Sequence, residues 1–471
     1  MTIEQIYTGC LAQGAYYITS GGEAIIIDPL REIQPYLERI QKDNVELRYI
    51  LETHFHADFV SGHIDLANAT GASIVFGPTA KPAYKIHLAA DQEILSIGKI
   101  KIKVIHTPGH TMESTCYLLY DEEGNETALF TGDTLFIGDV GRPDLAQKVS
   151  SDLTQEKQAE YLFDSLRQKI MTLPDHVIVY PAHGAGSACG KNMSSETTGT
   201  IGQQKENNYA LRPDMTKAEF VRELLHGLSP SPAYFPANVM MNINGYKDIA
   251  NVLKEGTKPL TAFDFELLAN EGDVLILDTR EAQVFAKGHI PNSINIGIDG
   301  GFAPWVGSLV PNIKQEILLV TDAGREHEVV TRLARVGYDE TIGFLAGGFS
   351  EWVKASKDVA CIHTINVDEF SQIQKNNPSI QILDVRKPGE FEKQSIVGAD
   401  NVPLDYINEN MQSLSKGQTY YVHCAGGYRS MIFTSILKAR GFENLIEIKG
   451  GFKDIKESGK FSLTDSEVVV K

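Results

Sequence analysis

The stretch ETHFHADFVSGH, residues 52–63, decides how the first half of the chain is interpreted. His54 and His56 are separated by one residue and precede Asp58, and imidazole and carboxylate groups are common ligands of metal ions in proteins. Phe59 follows directly, where a second cation would need another ligand, and a benzyl side chain has no lone pair to donate. The stretch therefore predicts a metal site that has lost part of a two-ion cradle.

Short β-rich runs alternate with helical segments from residue 1 to about residue 245. The runs before His54, His110, Asp133 and His183 are typical of strands that present ligand-type side chains at their carboxyl ends. One HxH pair alone is weak evidence, and unrelated histidines are the alternative interpretation. Four such segments in this order predict one metal centre at a sheet edge.

This ordered set resembles the metallo-β-lactamase fold family over the whole first domain, predicted as residues 1–250. The resemblance implies an αβ/βα sandwich at the start of an α/β and α+β multidomain chain. In the dinuclear hydrolases of the family, such as glyoxalase II, the motif reads HxHxDH, so Phe59 stands where a ligand of the second ion would be. The second site then keeps at most Asp58, His183 and the bridging Asp133. Because the lost nitrogen ligand weakens binding substantially, we expect a single metal ion.

A lone ion held by two imidazoles and one carboxylate leaves neighbouring coordination positions open, as in non-heme Fe(II) oxygenases, whereas zinc usually takes four ligands. The residues alone do not decide between His54 and His56. The persulfide dioxygenase branch of the family, which the chain resembles, implies one Fe(II) per chain held by His54, His110 and Asp133. The groups that would then orient ligands or bound water are His56, Asp58 and His183.

The same branch carries an arginine after the TGD strand, and IGDVGRPDL supplies Arg142. The resemblance implies that Arg142 anchors the carboxylate of a small thiol such as glutathione, because a guanidinium grips carboxylates at two points. An ion pair in a surface loop is the alternative. Gly184 and Ala185 stand where glutathione-type dioxygenases carry an Asp-Tyr pair, which makes another carrier thiol plausible. Cys189 is a candidate for handling sulfur in transit, or a small buried residue.

Beyond about residue 258 the sequence repeats itself. VLILDTREAQVFAKGHIPNSINIG resembles QILDVRKPGEFEKQSIVGADNVP, and FLAGGFSEW resembles EIKGGFKDI. Asp278 and Asp384 occupy equivalent places in the two copies. We therefore predict two copies of one α/β domain, at residues 258–356 and 362–471.

The segment YYVHCAGGYRSMIFTSILKARGF of the second copy predicts a strand, a loop and an amphipathic helix. Gly426 and Gly427 let the loop curl, so that several backbone N–H groups point at the Cys424 sulfur and, with the helix N-terminus, favour a thiolate. Arg429 adds a fixed positive charge. This C-x₄-R pattern, with ILDVR upstream, resembles the active-site loop of rhodaneses, which are sulfurtransferases. An inert cysteine is the alternative, and Ser395 departs from the family by standing at the histidine position of GHI-x-GA.

The first copy lacks this nucleophile. Asp322 occupies the position of the cysteine, and His327 occupies the position of the loop arginine. Because a carboxylate cannot form a persulfide, we predict a catalytically silent rhodanese domain. Its role would be that of a scaffold, or of a wall along a passage between two active sites.

The composition excludes some classes of partner. The chain has 43 Lys and Arg against 61 Asp and Glu, a net charge of −18, which argues against broad binding of nucleic acid or anionic membranes. The N-terminus has no basic region followed by an apolar run, so we expect no signal peptide, and the apolar runs are too short to span a bilayer. Five scattered cysteines suit free thiols in a reducing cytoplasm.

Together these features predict a persulfide dioxygenase fused to a sulfurtransferase, similar to the bacterial fusions of sulfide detoxification. A low-molecular-weight persulfide and O₂ would give sulfite and a thiol, while Cys424 would make thiosulfate from sulfite or use thiosulfate in the reverse direction. Similar fusions imply a homo-oligomer. One alternative is a zinc-dependent thioester hydrolase of the glyoxalase II type with an attached sulfurtransferase, and another is a persulfide-binding sensor or scaffold.

Overall fold

The structure is a computed structural model that describes residues 1–145, 153–228 and 230–464. The chain forms two compact units. The first comprises Met1–Ala250 with Leu333–Gly337, and the second comprises Asn251–Arg332 with Tyr338–Lys471. The predicted domain boundaries at residues 250, 258, 356 and 362 stay predictions.

The first unit contains two six-stranded sheets. The strands of one sheet, which lie in chain order, are β1 Thr2–Thr8, β2 Gln13–Ser20, β3 Glu23–Ile27, β4 Glu46–Glu52, β5 Ser73–Phe76 and β6 His87–Leu88. The strands of the other sheet, which lie in the spatial order β12-β11-β10-β9-β8-β7, are β7 Ile94–Ile97, β8 Ile100–His106, β9 Thr115–Tyr120, β10 Glu126–Gly132, β11 Ile178–Pro181 and β12 Gly199–Thr200. β3 to β6 pair in parallel, as do β10 and β11, so their carboxyl ends lie at the same edge of each sheet.

Seven helices lie in the described part of residues 1–256, and the last of them belongs to the second unit from Asn251 onward. They are α1 Gln34–Asp43, α2 His63–Thr70, α3 Gln155–Ser165, α4 Ile201–Asn207, α5 Lys217–Leu225, α6 Phe235–Asn244 and α7 Ile249–Gly256. Helical periodicity predicts a helix after residue 152, and this segment forms α3, which continues as a short π-helix over Leu166–Ile170.

Two hydrophobic cores define the layers of this unit. Ile25 of one sheet packs with Val104 and Phe130 of the other, so one core lies between the sheets. Leu162 of α3 and Phe220 of α5 belong to the second core, on the opposite face of the second sheet. Because α2 packs on β4 and β5, helices cover the outer faces of both sheets, and the predicted αβ/βα sandwich is confirmed.

The second unit contains two five-stranded parallel sheets with the same strand order. The strands of the first, in the spatial order β13-β17-β16-β14-β15, are β13 Pro259–Leu260, β14 Leu275–Asp278, β15 Ile294–Asn295, β16 Ile317–Val320 and β17 Thr341–Leu345. The strands of the second, in the spatial order β18-β22-β21-β19-β20, are β18 His363–Ile365, β19 Gln381–Asp384, β20 Asp400–Asn401, β21 Tyr420–His423 and β22 Leu445–Ile448. The identical order confirms the duplication that the sequence predicts.

Helices connect the strands of both sheets. Those of the first repeat are α8 Ala262–Ala269, α9 Ala282–Lys287, α10 Phe302–Leu309, α11 Glu326–Arg335 and α12 Phe349–Lys354. Those of the second repeat are α13 Val367–Asn376, α14 Pro388–Lys393, α15 Ile407–Asn410, α16 Tyr428–Ala439 and α17 Gly451–Ser458. No helix within residues 1–145, 153–228 and 230–464 is long and apolar enough to cross a membrane.

Candidate metal centre and cysteine loop

The predicted ligand residues follow four strands of the first unit. β4 leads into His54, β8 into the loop of His110, β10 into Asp133 and β11 into the loop of His183. All four side chains are buried and lie in one region of the unit. The prediction that these four segments converge is therefore confirmed.

His54, His110 and Asp133 form one cluster, in which the ligand atoms all lie within 4.8 Å of one another. Oδ2 of Asp133 lies 3.4 Å from Nε2 of His110 and 3.9 Å from Nε2 of His54. Among the described residues, these two nitrogen atoms and both oxygens of Asp133 find no hydrogen-bond partner, although they are buried. Buried polar groups without partners are costly, so the donor set fits a metal ion that takes up these lone pairs.

Hydrogen bonds on the opposite ring nitrogens orient the two histidines. Nδ1 of His110 donates to the carbonyl oxygen of Arg142 at 2.8 Å. Nδ1 of His54 donates to the hydroxyl of Thr53 at 2.9 Å, and that hydroxyl donates to Asp28 at 2.8 Å. Both rings therefore direct the Nε2 lone pair at Asp133.

Two further features prepare the position of His54. Burial lowers the pKa of His54 well below its usual range, and the neighbouring imidazoles lower it further, so the ring is neutral, as a metal ligand must be. At Gly132 the backbone has a φ of +51°, and an added Cβ would lie 2.5 Å from the hydroxyl oxygen of Thr53. Glycine therefore lets β10 approach the end of β4 this closely.

His56 differs from His54 in its contacts. Its Nε2 lies 3.1 Å from a carboxylate oxygen of Asp28 and 3.7 Å from one of Glu52. Burial alone would lower the pKa of His56, but these two carboxylates raise it to about 9. The two histidines of the motif therefore differ in their surroundings, because Nε2 of His54 faces Asp133 whereas Nε2 of His56 faces Asp28.

A second group of donors adjoins the first. His183 Nε2 lies 3.3 Å from Asp58 Oδ2 and 3.6 Å from Asp133 Oδ1, and a nitrogen of His56 lies within 4.8 Å of the ligand atoms of Asp58 and His183. Burial raises the pKa of Asp58. The residues predicted to support the ligands are thus placed directly beside them.

Cys189 lies beside the same centre. Its sulfur lies within 4.8 Å of the ligand atoms of Asp133 and His183, and the residue is 1% exposed. The thiol is therefore a candidate donor in addition to the three predicted for the second half of the centre, which are Asp58, His183 and Asp133. Burial raises the pKa of Cys189 well above its usual range, and Asp58 and Asp133 raise it further. The short interval of six residues after His183 predicts that Cys189 lies close to the site, and the structure places it there.

Arg142 is buried and already paired. Its guanidinium donates to both carboxylate oxygens of Asp144, at 2.6 and 2.7 Å, and to the carbonyl oxygen of Ala188 at 3.1 Å. Its backbone N–H donates to the carbonyl oxygen of Cys189 at 2.9 Å. Arg142 therefore links the Cys189 loop to His110, whose Nδ1 donates to the Arg142 carbonyl oxygen. The predicted binding of a thiol's carboxylate by Arg142 stays a prediction.

The sequence reasoning missed two buried carboxylates beneath the metal centre, Asp28 and Glu52. Asp28 accepts hydrogen bonds from the N–H and the hydroxyl of Thr53, both at 2.8 Å. Glu52 accepts a hydrogen bond from the hydroxyl of Ser61 at 2.8 Å, and burial raises its pKa. Both residues come at the end of an apolar strand-like run, in AIIIDP and RYILETH, which is the signal that identified the ligands.

In the second unit, β21 leads into Cys424 and α16 begins four residues later. The Gly427 N–H donates to the Cys424 sulfur at 3.1 Å, and Gly427 has a φ of +101° that favours glycine. This is the one backbone donor to the sulfur within the described residues, where we predicted several. Cys424 is 1% exposed and lies at the base of the loop, whereas Ala425 and Gly426 are exposed.

The GGF motif supports this loop from below. The N–H of Phe452 donates to the carbonyl oxygen of Cys424 at 2.7 Å, and that of Lys453 to the carbonyl oxygen of Ala425 at 3.1 Å. A Cβ at Gly451 would lie 2.5 Å from the carbonyl oxygen of Cys424, so this position requires glycine. The motif therefore lets the first turn of α17 bind the backbone of the cysteine loop.

Arg429 lies in the first turn of α16 and forms an ion pair. Its guanidinium donates to the two carboxylate oxygens of Glu390, at 2.6 and 2.8 Å. The charge of Arg429 holds the pKa of Glu390 below its usual range. Its predicted role beside an anionic sulfur stays a prediction.

The prediction that α16 is amphipathic is wrong. All residues of α16 from Ser430 to Leu437 are buried. One reason is that α16 packs on β21 and β22 of its own repeat and also on β15 of the first repeat. A helix covered on both sides needs no polar face.

The first repeat presents a different loop at the equivalent place. Thr321 follows β16 as Cys424 follows β21, and Val320 pairs with Asp278 as His423 pairs with Asp384. The prediction that Asp322 occupies the position of the cysteine is therefore wrong, because the structure places Thr321 there and the exposed Asp322 one residue later. His289 of the GHI motif stacks on Phe285 at a centroid distance of 4.0 Å, whereas Ser395 at the same position of the second repeat accepts and donates hydrogen bonds with Thr464. At Ser395 the hydrogen bonds with Thr464 therefore take the place of the ring stacking that His289 makes in the first repeat.

Comparison with known proteins identifies the family of this chain. The sequence profile of the Metallo-beta-lactamase superfamily matches residues 8–183. A crystal structure of a metallo-beta-lactamase from Staphylococcus aureus is 31% identical with a TM-score of 0.63, and the match covers 73% of this chain and 98% of that one. The chain belongs to the metallo-beta-lactamase superfamily. The profile of the Rhodanese-like domain matches residues 261–355 and 366–458, so this metallo-beta-lactamase superfamily protein also carries two rhodanese-like domains.

This metallo-beta-lactamase superfamily protein is also similar to a hydroxyacylglutathione hydrolase and to ETHE1. A hydroxyacylglutathione hydrolase from Tolumonas auensis is 34% identical over 172 residues, which cover 36% of this chain and 60% of the hydrolase. The chain thus spans about three fifths of the length of that relative. The crystal structure of ETHE1 from Myxococcus xanthus is 26% identical with a TM-score of 0.43, and the match covers 51% of this chain and all of that one.

Proposed function

We propose that this protein is a non-heme Fe(II) persulfide dioxygenase joined to a sulfurtransferase. The observation that carries the proposal is the cluster of His54, His110 and Asp133, whose unpartnered Nε2 and carboxylate atoms face one another. Fe(II) held by these three groups would supply open positions at which a persulfide sulfur and O₂ can react. The overall reaction balances as RSSH + O₂ + H₂O giving RSH, sulfite and two protons.

The surrounding residues of this chain would orient that chemistry. The hydrogen bonds of His54 and His110 keep their Nε2 lone pairs directed at Asp133. Phe59 is fully buried and excludes water from the side next to His56. Asp58 and His183, 3.3 Å apart, provide a polar pair beside the cluster that can hold a substrate or a water molecule.

The second rhodanese-like domain would transfer sulfur through Cys424. The thiolate attacks the sulfane sulfur of a second persulfide, so that a new S–S bond forms on Cys424 and RSH leaves. Sulfite then attacks the outer sulfur, which gives thiosulfate and restores the thiolate. The Gly427 N–H, 3.1 Å from the sulfur, stabilises its negative charge at both stages.

A zinc-dependent thioester hydrolase with an attached sulfurtransferase is the second candidate. Two observations favour it: the similarity to a hydroxyacylglutathione hydrolase, and the thiol of Cys189 beside Asp133 and His183. Thiolate, imidazole and carboxylate are all ligands of zinc. The two candidates differ in metal content and in their need for O₂.

The test uses the full chain purified without oxygen. We expect about one iron per chain, O₂ uptake with glutathione persulfide, and one sulfite formed per O₂ consumed. The His54→Ala variant should lose both the iron and the O₂ uptake. Two zinc ions per chain, thioester cleavage and no O₂ uptake with glutathione or coenzyme A persulfide would instead establish the hydrolase. A cytoplasmic location and self-association stay predictions.

A further inference from the structure

The first repeat, residues 258–356, is the one predicted to be catalytically silent, and this silent repeat contacts the cysteine loop of the second repeat directly. The hydroxyl of Tyr428, the residue that begins α16, donates to the carbonyl oxygen of Gly297 at 2.7 Å. Gly300 faces the same ring, since a Cβ added there would lie 2.3 Å from Cζ of Tyr428. Burial raises the pKa of Tyr428, so its hydroxyl stays a neutral donor. The 297–300 segment thus forms a seat for the Tyr428 side chain.

Two other contacts attach α16 to the silent repeat. Glu447 accepts hydrogen bonds from the hydroxyl of Ser430 at 2.9 Å and from the side-chain amide of Gln283 at 3.2 Å. The N–H of Asn295 donates to the hydroxyl of Ser435 at 2.9 Å. Because Gln283 and Asn295 belong to the first repeat, the helix that follows the cysteine loop is held from both repeats.

The position of Tyr428 matters for the sulfur of Cys424. Gly427, whose N–H donates to that sulfur, is the residue immediately before Tyr428 in the chain. This N–H belongs to the peptide between Gly426 and Gly427, and Gly427, at a φ of +101°, joins that peptide to the next one, which carries Tyr428. A displacement of Tyr428 is therefore passed to this N–H through the backbone of a single residue. A hydrogen bond from a backbone N–H favours the thiolate over the thiol.

We propose that the silent repeat is a working part of the Cys424 site, because its 297–300 segment seats Tyr428 and thereby fixes the Gly427 N–H on the sulfur. Tyr428 and Gly300 are positioning residues in this arrangement. The inference rests on the proposed sulfurtransferase activity of Cys424. The first repeat, which lacks the cysteine, would then support the Cys424 loop of the second repeat.

Gly300→Ala is the decisive variant. The backbone of Gly300 lies outside the left-handed region, so alanine is obstructed by the Tyr428 ring and not by its own conformation. Gly297→Ala is the matched control in the same segment, because its Cβ would meet Tyr428 at an ordinary 3.4 Å and the accepting carbonyl remains. In a Tyr428→Ala background the obstacle is gone, so adding Gly300→Ala should change nothing further.

Two readouts follow these variants in the full chain. The first is the pH profile of Cys424 alkylation by iodoacetamide, measured by mass spectrometry of the peptide that contains Cys424. The second is the rate of thiosulfate formation from sulfite and glutathione persulfide. Thermal unfolding followed by tryptophan fluorescence checks that the second unit of each variant is folded, because Trp305 and Trp352 both lie there.

We expect Gly300→Ala to shift the midpoint of the alkylation profile upward by about one pH unit, which corresponds to about a tenfold loss of thiolate at a pH well below that midpoint, and to slow thiosulfate formation. Tyr428→Phe, which removes only the hydrogen bond, should shift the profile in the same direction by less. A parent-like profile in Gly300→Ala, or an equal loss in the Tyr428→Ala background, would overturn the inference. If the parent makes no thiosulfate, the proposed function fails, while the alkylation profile still decides whether Tyr428 is a positioning residue.

Discussion

The ring of Phe59 packs against the imidazole of His56, with the ring centroids 4.2 Å apart and the planes inclined by 31°. Phe59 is fully buried, and it places carbon where a dinuclear centre would have a ligand nitrogen. His56 is in contact with Asp28, 3.1 Å away, as well as with this ring. The ring of Phe59 thus offers no donor atom beside the imidazole of His56, and the prediction of a single ion rests on this pair.

Restoring the nitrogen should restore the second ion. We expect Phe59→His to raise the metal content from about one ion per chain toward two and to lower O₂ uptake per iron, because the open positions of the first ion become shared. Elemental analysis and an oxygen electrode measure the two effects. Phe59→Leu is the matched control and should keep one ion. A Phe59→His enzyme that still holds a single iron would contradict this reading of Phe59.

Cys189 should make the centre sensitive to soft metal ions. Thiolate prefers ions such as Cd²⁺, and Asp133 and His183 lie within reach of the same ion. We expect the first equivalent of Cd²⁺ added to the metal-free protein to produce a sulfur-to-metal absorption band in the ultraviolet. Cys189→Ser should lose this band, and Cys424→Ser, in the other unit, should keep it. An undiminished band in Cys189→Ser would remove Cys189 from the site.

The two activities should be separable at Cys424. We expect Cys424→Ser to consume O₂ and release sulfite at the parent rate but to form no thiosulfate, because serine cannot carry a persulfide. The matched control is Asp322→Asn, in the corresponding loop of the first repeat, which should leave thiosulfate formation unchanged. Ion chromatography of sulfite and thiosulfate measures both. Thiosulfate formation at the parent rate by Cys424→Ser would assign the transfer to another group.

His289 should make the second unit less stable in acid. Burial lowers the pKa of His289 to about 4, below its ordinary value of about 6.5. As the pH falls from about 6.5 to about 4, the unfolded chain binds a proton that the folded chain does not, so the free energy of unfolding falls by at most about 1.4 kcal/mol per pH unit. His289→Gln should show a flatter dependence over this interval.

Tryptophan fluorescence isolates this transition, because the two tryptophans of the chain, Trp305 and Trp352, both lie in the second unit. Melting temperatures measured at several pH values then give the slope. The control is His363→Gln, an exposed histidine of the same unit, which should keep the parent slope. An identical slope in His289→Gln and the parent would show that another group is responsible.

Much of the architecture follows from patterns that are local in the chain. The strand-like runs before His54, His110, Asp133 and His183 become β4, β8, β10 and β11, because apolar β-rich runs end where ligand residues begin. The internal similarity predicts two sheets of one strand order, and the sheets have that order. The position of Cys424 between a strand and a helix follows from the same kind of signal.

The amino-acid sequence by itself determined the family, the duplicated domain, the ligand-bearing segments and the one repeat that keeps a nucleophile, since each depends on residues close together in the chain. Only the tertiary structure decided that His56 pairs with Asp28, that the sulfur of Cys189 is buried within 4.8 Å of ligand atoms of Asp133 and His183, and that Tyr428 contacts Gly297 and Gly300. These relationships join residues far apart in the chain or on loops of irregular shape. No local periodicity records such contacts, because they arise from how complete sheets and helices pack.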